Sequence, residues 1–261
     1  MKVTQVNWYD YPAYFDLAFR DETTAEAKFL MAAFAKYSGV QPVRRVLEPA
    51  CGTGRLMAAL AAKQYEVLGF DLSEPMLHYA RQRLQRRKLR GDLFLADMAE
   101  FTLPKPVDAA FNTFNSFRHL LTETAAVNHL RCVWQALRPG GLYILGLHLL
   151  PPDASEESLE RWRAQQGRTQ LTATLKVIAA SRRKRLETLR LSMRVRTPHR
   201  EHRLRSDFTL RIYNARQLSS LLKQVPEFEL CDVFDFWYEI DHPLQLTNEL
   251  SDTVLILRKR L

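Results

Sequence analysis

Cysteine is scarce in this chain. Cys51, Cys132 and Cys231 are isolated thiols in 261 residues, an odd number that argues against a disulfide framework and against a cysteine-based zinc site. The seven histidines show no metal-ligand spacing, so no metal is expected. No apolar run approaches the roughly 18 residues that a membrane span requires. The opening Met1-Lys2-Val3-Thr4-Gln5 lacks the apolar core of a secretory signal. Glycine and proline, at 9 and 12 residues, are too few for a low-complexity or fibrous chain. Together these absences predict a reduced, cytoplasmic globular protein with no membrane partner.

What is present is an ordinary core-forming composition, 46% hydrophobic, at a length suited to one large α/β domain or to one domain plus an insertion. The net charge of +9 is unevenly placed. Residues 151–211 hold 15 Lys/Arg against 7 Asp/Glu, whereas the remainder holds 23 against 22. The basic excess therefore belongs to one segment.

The most informative stretch runs from residue 43 to residue 62. Val43-Arg44-Arg45-Val46-Leu47 is a β-branched and apolar run that reads as a strand. Leu56-Met57-Ala58-Ala59-Leu60-Ala61-Ala62 is built of strong helix formers. Between them lies Glu48-Pro49-Ala50-Cys51-Gly52-Thr53-Gly54, where Gly52 and Gly54 permit positive φ and close approach of a ligand to the backbone. A dinucleotide fingerprint would need glycine where Met57 stands, and a phosphate loop would need Gly-Lys-Ser/Thr where Gly54-Arg55-Leu56 stands. Glu48 ends the strand beside the helix N-terminus, where a phosphate would otherwise bind. An acidic strand end suits a cationic ligand instead.

This stretch resembles the first motif of the class I S-adenosylmethionine-dependent methyltransferases, acidic-x-G-x-G-x-G, with Ala50 at the first glycine position. The resemblance implies S-adenosyl-L-methionine as cofactor, held by Glu48, Ala50, Gly52 and Gly54. Asp71 ends the second strand (Glu66–Phe70) 17 residues past Gly54, near the spacing of an acidic residue that accepts both ribose hydroxyls. Leu72 follows it, and Ser73-Glu74-Pro75 supplies a separate helix cap. The family places an acidic residue at Asp97, after the third strand, to accept the adenine amino group, with Met98 against the ring. Asn112 ends the fourth strand (Val107–Phe111), and the segment Asn112–His119 should line the reaction pocket because open α/β sheets bind ligands at strand C-termini.

The remaining chain completes an α/β fold: a Rossmann-like, doubly wound, seven-stranded methyltransferase sheet with an antiparallel β insertion after the fifth strand. Residues 1–150 and 212–261 form the cofactor-binding domain and 151–211 the insertion. Arg138-Pro139-Gly140-Gly141 reads as the turn into the fifth strand, Leu142–Leu147. Three period-two runs, at Gln170–Val177, Leu189–Arg196 and Phe208–Ile212, predict a three-stranded meander with one apolar and one arginine-rich face. That apolar face should roof the site or pair across a homodimer, leaving Arg190, Arg194, Arg196 and Arg211 to face solvent or an acidic or phosphate group of a substrate. Arg81, Arg83, Arg86, Arg87, Lys88 and Arg90 read as a solvated helix face.

Residues 7–19 are unusually aromatic. In methyltransferases resembling this one such a segment closes over the cofactor, and Tyr14, ahead of Tyr9 and Tyr11, is expected to face the site. Tyr14 and His119 are the candidate catalytic groups, His119 as a base or as a hold on a substrate hydroxyl. Asn112-Thr113-Phe114-Asn115 is neither an Asn/Asp-Pro-Pro-Tyr motif nor a Pro-Cys nucleophile. The substrate therefore leans towards a small molecule, and the resemblance to amino-sugar and glycine-type N-methyltransferases implies an amine. Two rival readings are an RNA methyltransferase using Arg182-Arg183-Lys184-Arg185, and a cofactor-binding protein without transfer activity.

Overall fold

The computed structural model describes residues 3–39 and 41–260; Met1 and Lys2 of the opening stretch lie outside the described residues. A two-residue strand β1 (Thr4–Gln5) leads through a 3-10 turn (Trp8–Asp10) into helices α1 (Pro12–Phe19) and α2 (Thr23–Tyr37). Alternating strands and helices follow: β2 (Arg45–Pro49), α3 (Arg55–Ala61), β3 (Glu66–Asp71), α4 (Glu74–Arg86), β4 (Asp92–Leu95), β5 (Val107–Asn112), α5 (Glu123–Ala136) and β6 (Leu137–His148). Strands β7 (Leu159–Gln166), β8 (Thr169–Ser181), β9 (Leu186–Arg196) and β10 (Glu201–Arg211) come next. The chain closes with α6 (Ala215–Leu222), β11 (Phe228–Phe234) and β12 (Asp252–Lys259).

The main sheet has seven strands in the order β11-β12-β6-β5-β2-β3-β4. Strands β2 to β6 are parallel, and β12 runs antiparallel to both β6 and β11. Helices cover both faces, which is why these strands read as continuous apolar runs. One core gathers Phe29, Leu30 and Phe34 of α2 with Leu56 and Met57 of α3; the other gathers Leu130 and Val133 of α5 with Leu218 and Leu221 of α6. The expected architecture is therefore present. Its first strand lies two residues later than the apolar run suggested, at Arg45–Pro49, and the Pro-Gly-Gly turn is absorbed into β6, with Gly140 at φ 71°.

The insertion is larger than the predicted meander. It supplies four strands, β7 to β10, which join β1 from the N-terminal segment in a five-stranded sheet of order β1-β10-β9-β8-β7, with β1 parallel to β10. The strand missed, β7, carries a single large inward apolar residue, Trp162, between Arg161 and Arg163. Charge of this kind is how edge strands resist further pairing, and it hides the alternation. The inner face is apolar: Leu171, Leu191, Met193, Val195 and Leu204 pack on Trp8 and Leu17. Burying each such side chain contributes about 1.5–3 kcal/mol. The insertion thus clamps the aromatic turn and α1 between itself and the main sheet. Arg211, expected to face outward, is 7% exposed and donates to the Leu121 carbonyl at 2.7 Å and to Glu123 at 3.1 Å. At that end of β10 the outer side is covered by the start of α5, so the alternation no longer sorts inside from outside.

Candidate active site

The loop from Pro49 to Gly54 turns on three left-handed residues: Ala50 at φ 51°, Gly52 at 52° and Gly54 at 64°. Two are glycine, for which the conformation is free; Ala50 holds it at a steric cost. Gly54 has a second constraint, since a Cβ there would lie 2.9 Å from Ala80 Cβ, where α3 and α4 approach. A Cβ on Gly52 would meet Phe15 at 3.9 Å, so α1 lies directly against the loop.

Glu48, within β2 and 8% exposed, accepts from the Met57 N–H at 3.2 Å, satisfying an orphan donor in the first turn of α3. Burial pushes its carboxyl up to about 8, against the pull of Arg55 and with the help of Glu26. Asp71 ends the neighbouring strand β3. Its Oδ2 accepts from the Gly52 N–H at 2.8 Å and its Oδ1 from the Ser73 N–H at 2.9 Å. Burial raises its carboxyl too, and those backbone donors oppose the rise. Helix α4 is capped separately by Ser73 Oγ, which accepts from the Met76 N–H, so Asp71 is not needed as the cap.

The other expected contacts sit along the same edge. Leu72 is 66% exposed beside Asp71. Asp97 is exposed just past β4 and accepts from the Ala99 N–H at 2.8 Å. Met98 is buried, and its carbonyl bonds the His129 ring. Asn112, at the end of β5, donates through Nδ2 to the Pro49 carbonyl at 3.0 Å. Its Oδ1 is buried without a partner among the described residues. An orphan acceptor at the end of β5, beside the acidic ends of β2 and β3 and their glycine loop, fits a cationic ligand such as S-adenosylmethionine.

Beyond Asn112 the chain passes through Phe114 (φ 61°) and Asn115 (φ 69°), two consecutive non-glycine residues in the left-handed region. Such strain persists only where the surroundings impose it, and it clusters at functional sites. A 3-10 turn then presents His119, whose Nε2 lies 2.8 Å from the Tyr9 hydroxyl. Burial, with the charge of Arg118 adding to it, lowers the His119 imidazole to about 4, so it is neutral at physiological pH. The same burial raises the Tyr9 phenol. Tyr9, and not Tyr14, is the aromatic that reaches His119; Tyr14 stacks on Tyr11 with ring centroids 5.9 Å apart. Tyr14 lies one turn into α1, and the Trp8–Asp10 turn ahead of that helix takes the inner position.

Asp16 holds this aromatic segment down. It is buried, accepts from Arg20 at 2.9 Å and from Thr53 Oγ1 at 3.3 Å, and is paired with Arg83 of α4. Arg83 therefore belongs to the site's closure and not to a solvated face. Within the arginine run of the insertion, Arg182 bonds the Pro151 carbonyl and Glu156, and Arg185 pairs with Glu123 at 2.7 Å.

A family profile described as a methyltransferase domain matches residues 46–141, from β2 into β6. Residues 46–141 are thus similar to a methyltransferase domain. YqeM of Bacillus subtilis, a methyltransferase by name, is 36% identical over 106 residues, covering 40% of this chain and 42% of its own length. The chain thus matches about two-fifths of the length of such curated relatives. Similarity of structure runs further than similarity of sequence. A S-adenosylmethionine-dependent methyltransferase from Clostridium acetobutylicum superposes with a TM-score of 0.79 at 16% identity, covering 96% of this chain and 98% of that one. The sugar N-methyltransferase KedS8 from Streptoalloteichus superposes with a TM-score of 0.70 at 17% identity, covering 92% and 88%. The matched methyltransferase domain contains Glu48, Asp71, Asp97, Asn112 and His119; the aromatic turn and the insertion lie outside it.

Proposed function

We propose that this chain is an S-adenosylmethionine-dependent methyltransferase acting on a small-molecule amine. The observation that carries the cofactor is the pair of carboxylates, Glu48 and Asp71, at adjacent strand ends around a left-handed glycine loop. Asp71 offers acceptors to ribose hydroxyls, Glu48 and the Asn112 Oδ1 face the cationic end, and Leu72, Asp97 and Met98 lie where adenine would bind. When bound, the cofactor supplies an activated methyl group on sulfur. The protein then has to orient the acceptor and exclude water, which the aromatic turn does from above. KedS8 is named as a sugar N-methyltransferase, and that likeness of fold supports an amine acceptor. Calorimetry with S-adenosylhomocysteine, followed by a methyl-transfer screen over amino sugars, amino acids and alkylamines, tests the reading. No cofactor binding, or transfer to none of the amines, would end it.

One observation favours a second reading, RNA. The outer face of β7–β10 carries Arg161, Arg163, Lys176, Arg190, Arg194, Arg196, Arg203 and Arg205 against Glu201 and Asp207. Against it, Arg190 is spent on Asp207, Glu201 takes both Arg196 and Arg203, and no aromatic lies among the cations to stack a base. Filter binding at two salt concentrations decides, since phosphate binding falls steeply with salt.

A further inference from the structure

An amine reaches a neutral solution as an ammonium ion, with no lone pair to accept a methyl group. If the acceptor is an amine, as proposed above, the site needs a proton acceptor. His119 is poorly suited: it is half-buried, engaged by Tyr9 and beside the Arg118 guanidinium, and desolvation lowers its imidazole. A second histidine stands at the same edge of the sheet. We propose that His148, oriented by Asp252, is the base that removes the proton from the substrate ammonium.

His148 ends β6 and Asp252 begins β12, directly opposite it in the antiparallel register. His148 Nδ1 is hydrogen-bonded to Asp252 Oδ1. A carboxylate at Nδ1 fixes the proton there and leaves the Nε2 lone pair to accept another. Both side chains are 38% exposed, so the proton has a route onward to solvent. Strand β6 adjoins β5 on the side away from the glycine loop, which puts His148 where an acceptor would sit if the cofactor lies over β2 to β4. The His148 N–H donates to Asn115 Oδ1 at 2.7 Å, tying the residue to the strained turn. Its ring stands edge-on to Phe114 and Phe236, at 6.1 and 5.0 Å.

The charges around it suit a cation. Glu22, exposed on the turn before α2, feels the charge of His148: its carboxyl is raised by partial desolvation and by Glu26 and lowered in part by Arg55 and His148. Glu26 is fully buried, 2.6 Å from Arg55 and bonded to Thr113. With Asp252 this makes three carboxylates against Arg55 and His148. The proton passes from the substrate nitrogen to Nε2, the nitrogen regains its lone pair for methyl transfer, and the imidazolium releases the proton to water.

The test uses the full chain. With the amine that the wild type turns over, His148→Gln is expected to lower kcat by about 100-fold or more at pH below the amine's own pKa. The deficit should shrink as pH approaches that value and solvent supplies free amine. Asp252→Asn should show the same shape with about a 10-fold loss, and S-adenosylhomocysteine affinity should stay within about twofold in both. A loss equal at every pH, or no loss, overturns the proposal. Independently of turnover, nitrogen NMR of labelled histidine in the S-adenosylhomocysteine-saturated protein should show neutral His148 as the Nδ1–H tautomer, with that preference lost in Asp252→Asn. A His148 tautomer that is unchanged in Asp252→Asn overturns the dyad. Failure of the amine screen instead overturns the functional reading.

Discussion

Glu48 sets up an opposition between stability and binding that one substitution separates. In an unfolded chain a glutamate titrates near 4.3; in the fold, burial pushes Glu48 up to about 8. Between those values the folded protein holds a proton that the unfolded chain has released, so folding loses stability as pH rises. The slope is about 1.4 kcal/mol per pH unit. By pH 7 the loss is about 3.5 kcal/mol, and above pH 8 it levels off. Glu48→Gln does not titrate, and its amide oxygen still accepts from the Met57 N–H. The variant should therefore match the wild type near pH 4 and gain steadily to pH 8. At 2–4 °C per kcal/mol for a chain of this size, the gap in melting temperature at pH 7 should be roughly 6 °C or more.

Thermal unfolding of the cofactor-free protein at unit steps from pH 4 to pH 8 measures it. A cationic ligand favours the ionised carboxylate, so binding should release a proton in this window. Calorimetry in phosphate and in Tris would differ for the wild type by the buffers' ionisation heats. Asp71 is also raised by burial and adds to the wild-type release, so the part that Glu48→Gln removes belongs to Glu48. A gap in melting temperature that stays flat from pH 4 to pH 8 would refute the reasoning, as would proton release unchanged in the variant.

Ala50→Gly relieves a left-handed alanine at φ 51°, and net of the added chain entropy should stabilise the protein by about 0.5–1 kcal/mol, read by denaturant midpoint, with cofactor affinity unchanged. Gly54→Ala should do the reverse, because both its φ of 64° and the 2.9 Å approach to Ala80 oppose a Cβ; a variant as stable as wild type contradicts that. Asp71→Ala should weaken S-adenosylhomocysteine binding by about 1–3 kcal/mol, the loss of charge-assisted bonds, measured by calorimetry. Asp16→Asn removes the charge that Arg20 and Arg83 share, so hydrogen exchange in α1 should quicken by about tenfold or more while β2 to β6 stay protected.

The main sheet was legible because its physics is local. Val46-Leu47, Val67-Leu68 and Ala109-Ala110-Phe111 are apolar runs that need burial on both faces, and the breaks between them carry glycine or capping residues. The glycine loop was legible for the same reason, down to Ala50, whose positive φ is what its position in the motif demands. What stayed hidden depends on contacts between distant segments. Nothing around Asp16 marks it as the partner of Arg83, 67 residues away, and Thr4-Gln5 is too short to announce a strand that pairs with Leu204-Arg205. Tyr9 and Tyr14 are equivalent by composition; only the turn at Trp8–Asp10 gives Tyr9 the inner place.

His148 and Asp252 show the same limit from the other side. Each ends or begins an apolar run, where a polar residue reads as a simple boundary, and 104 positions separate them. An antiparallel last strand brings the end of β6 and the start of β12 together at the edge where parallel strands place their ligands. The same reversal carries Phe236, from the connection between β11 and β12, against the His148 ring. Strand direction therefore assembles the proposed acceptor side from two distant strands. The proposed cofactor side, from Glu48 to Asn112, comes from one continuous stretch. A motif search finds the second kind of site; the first has to be read from sheet order and register.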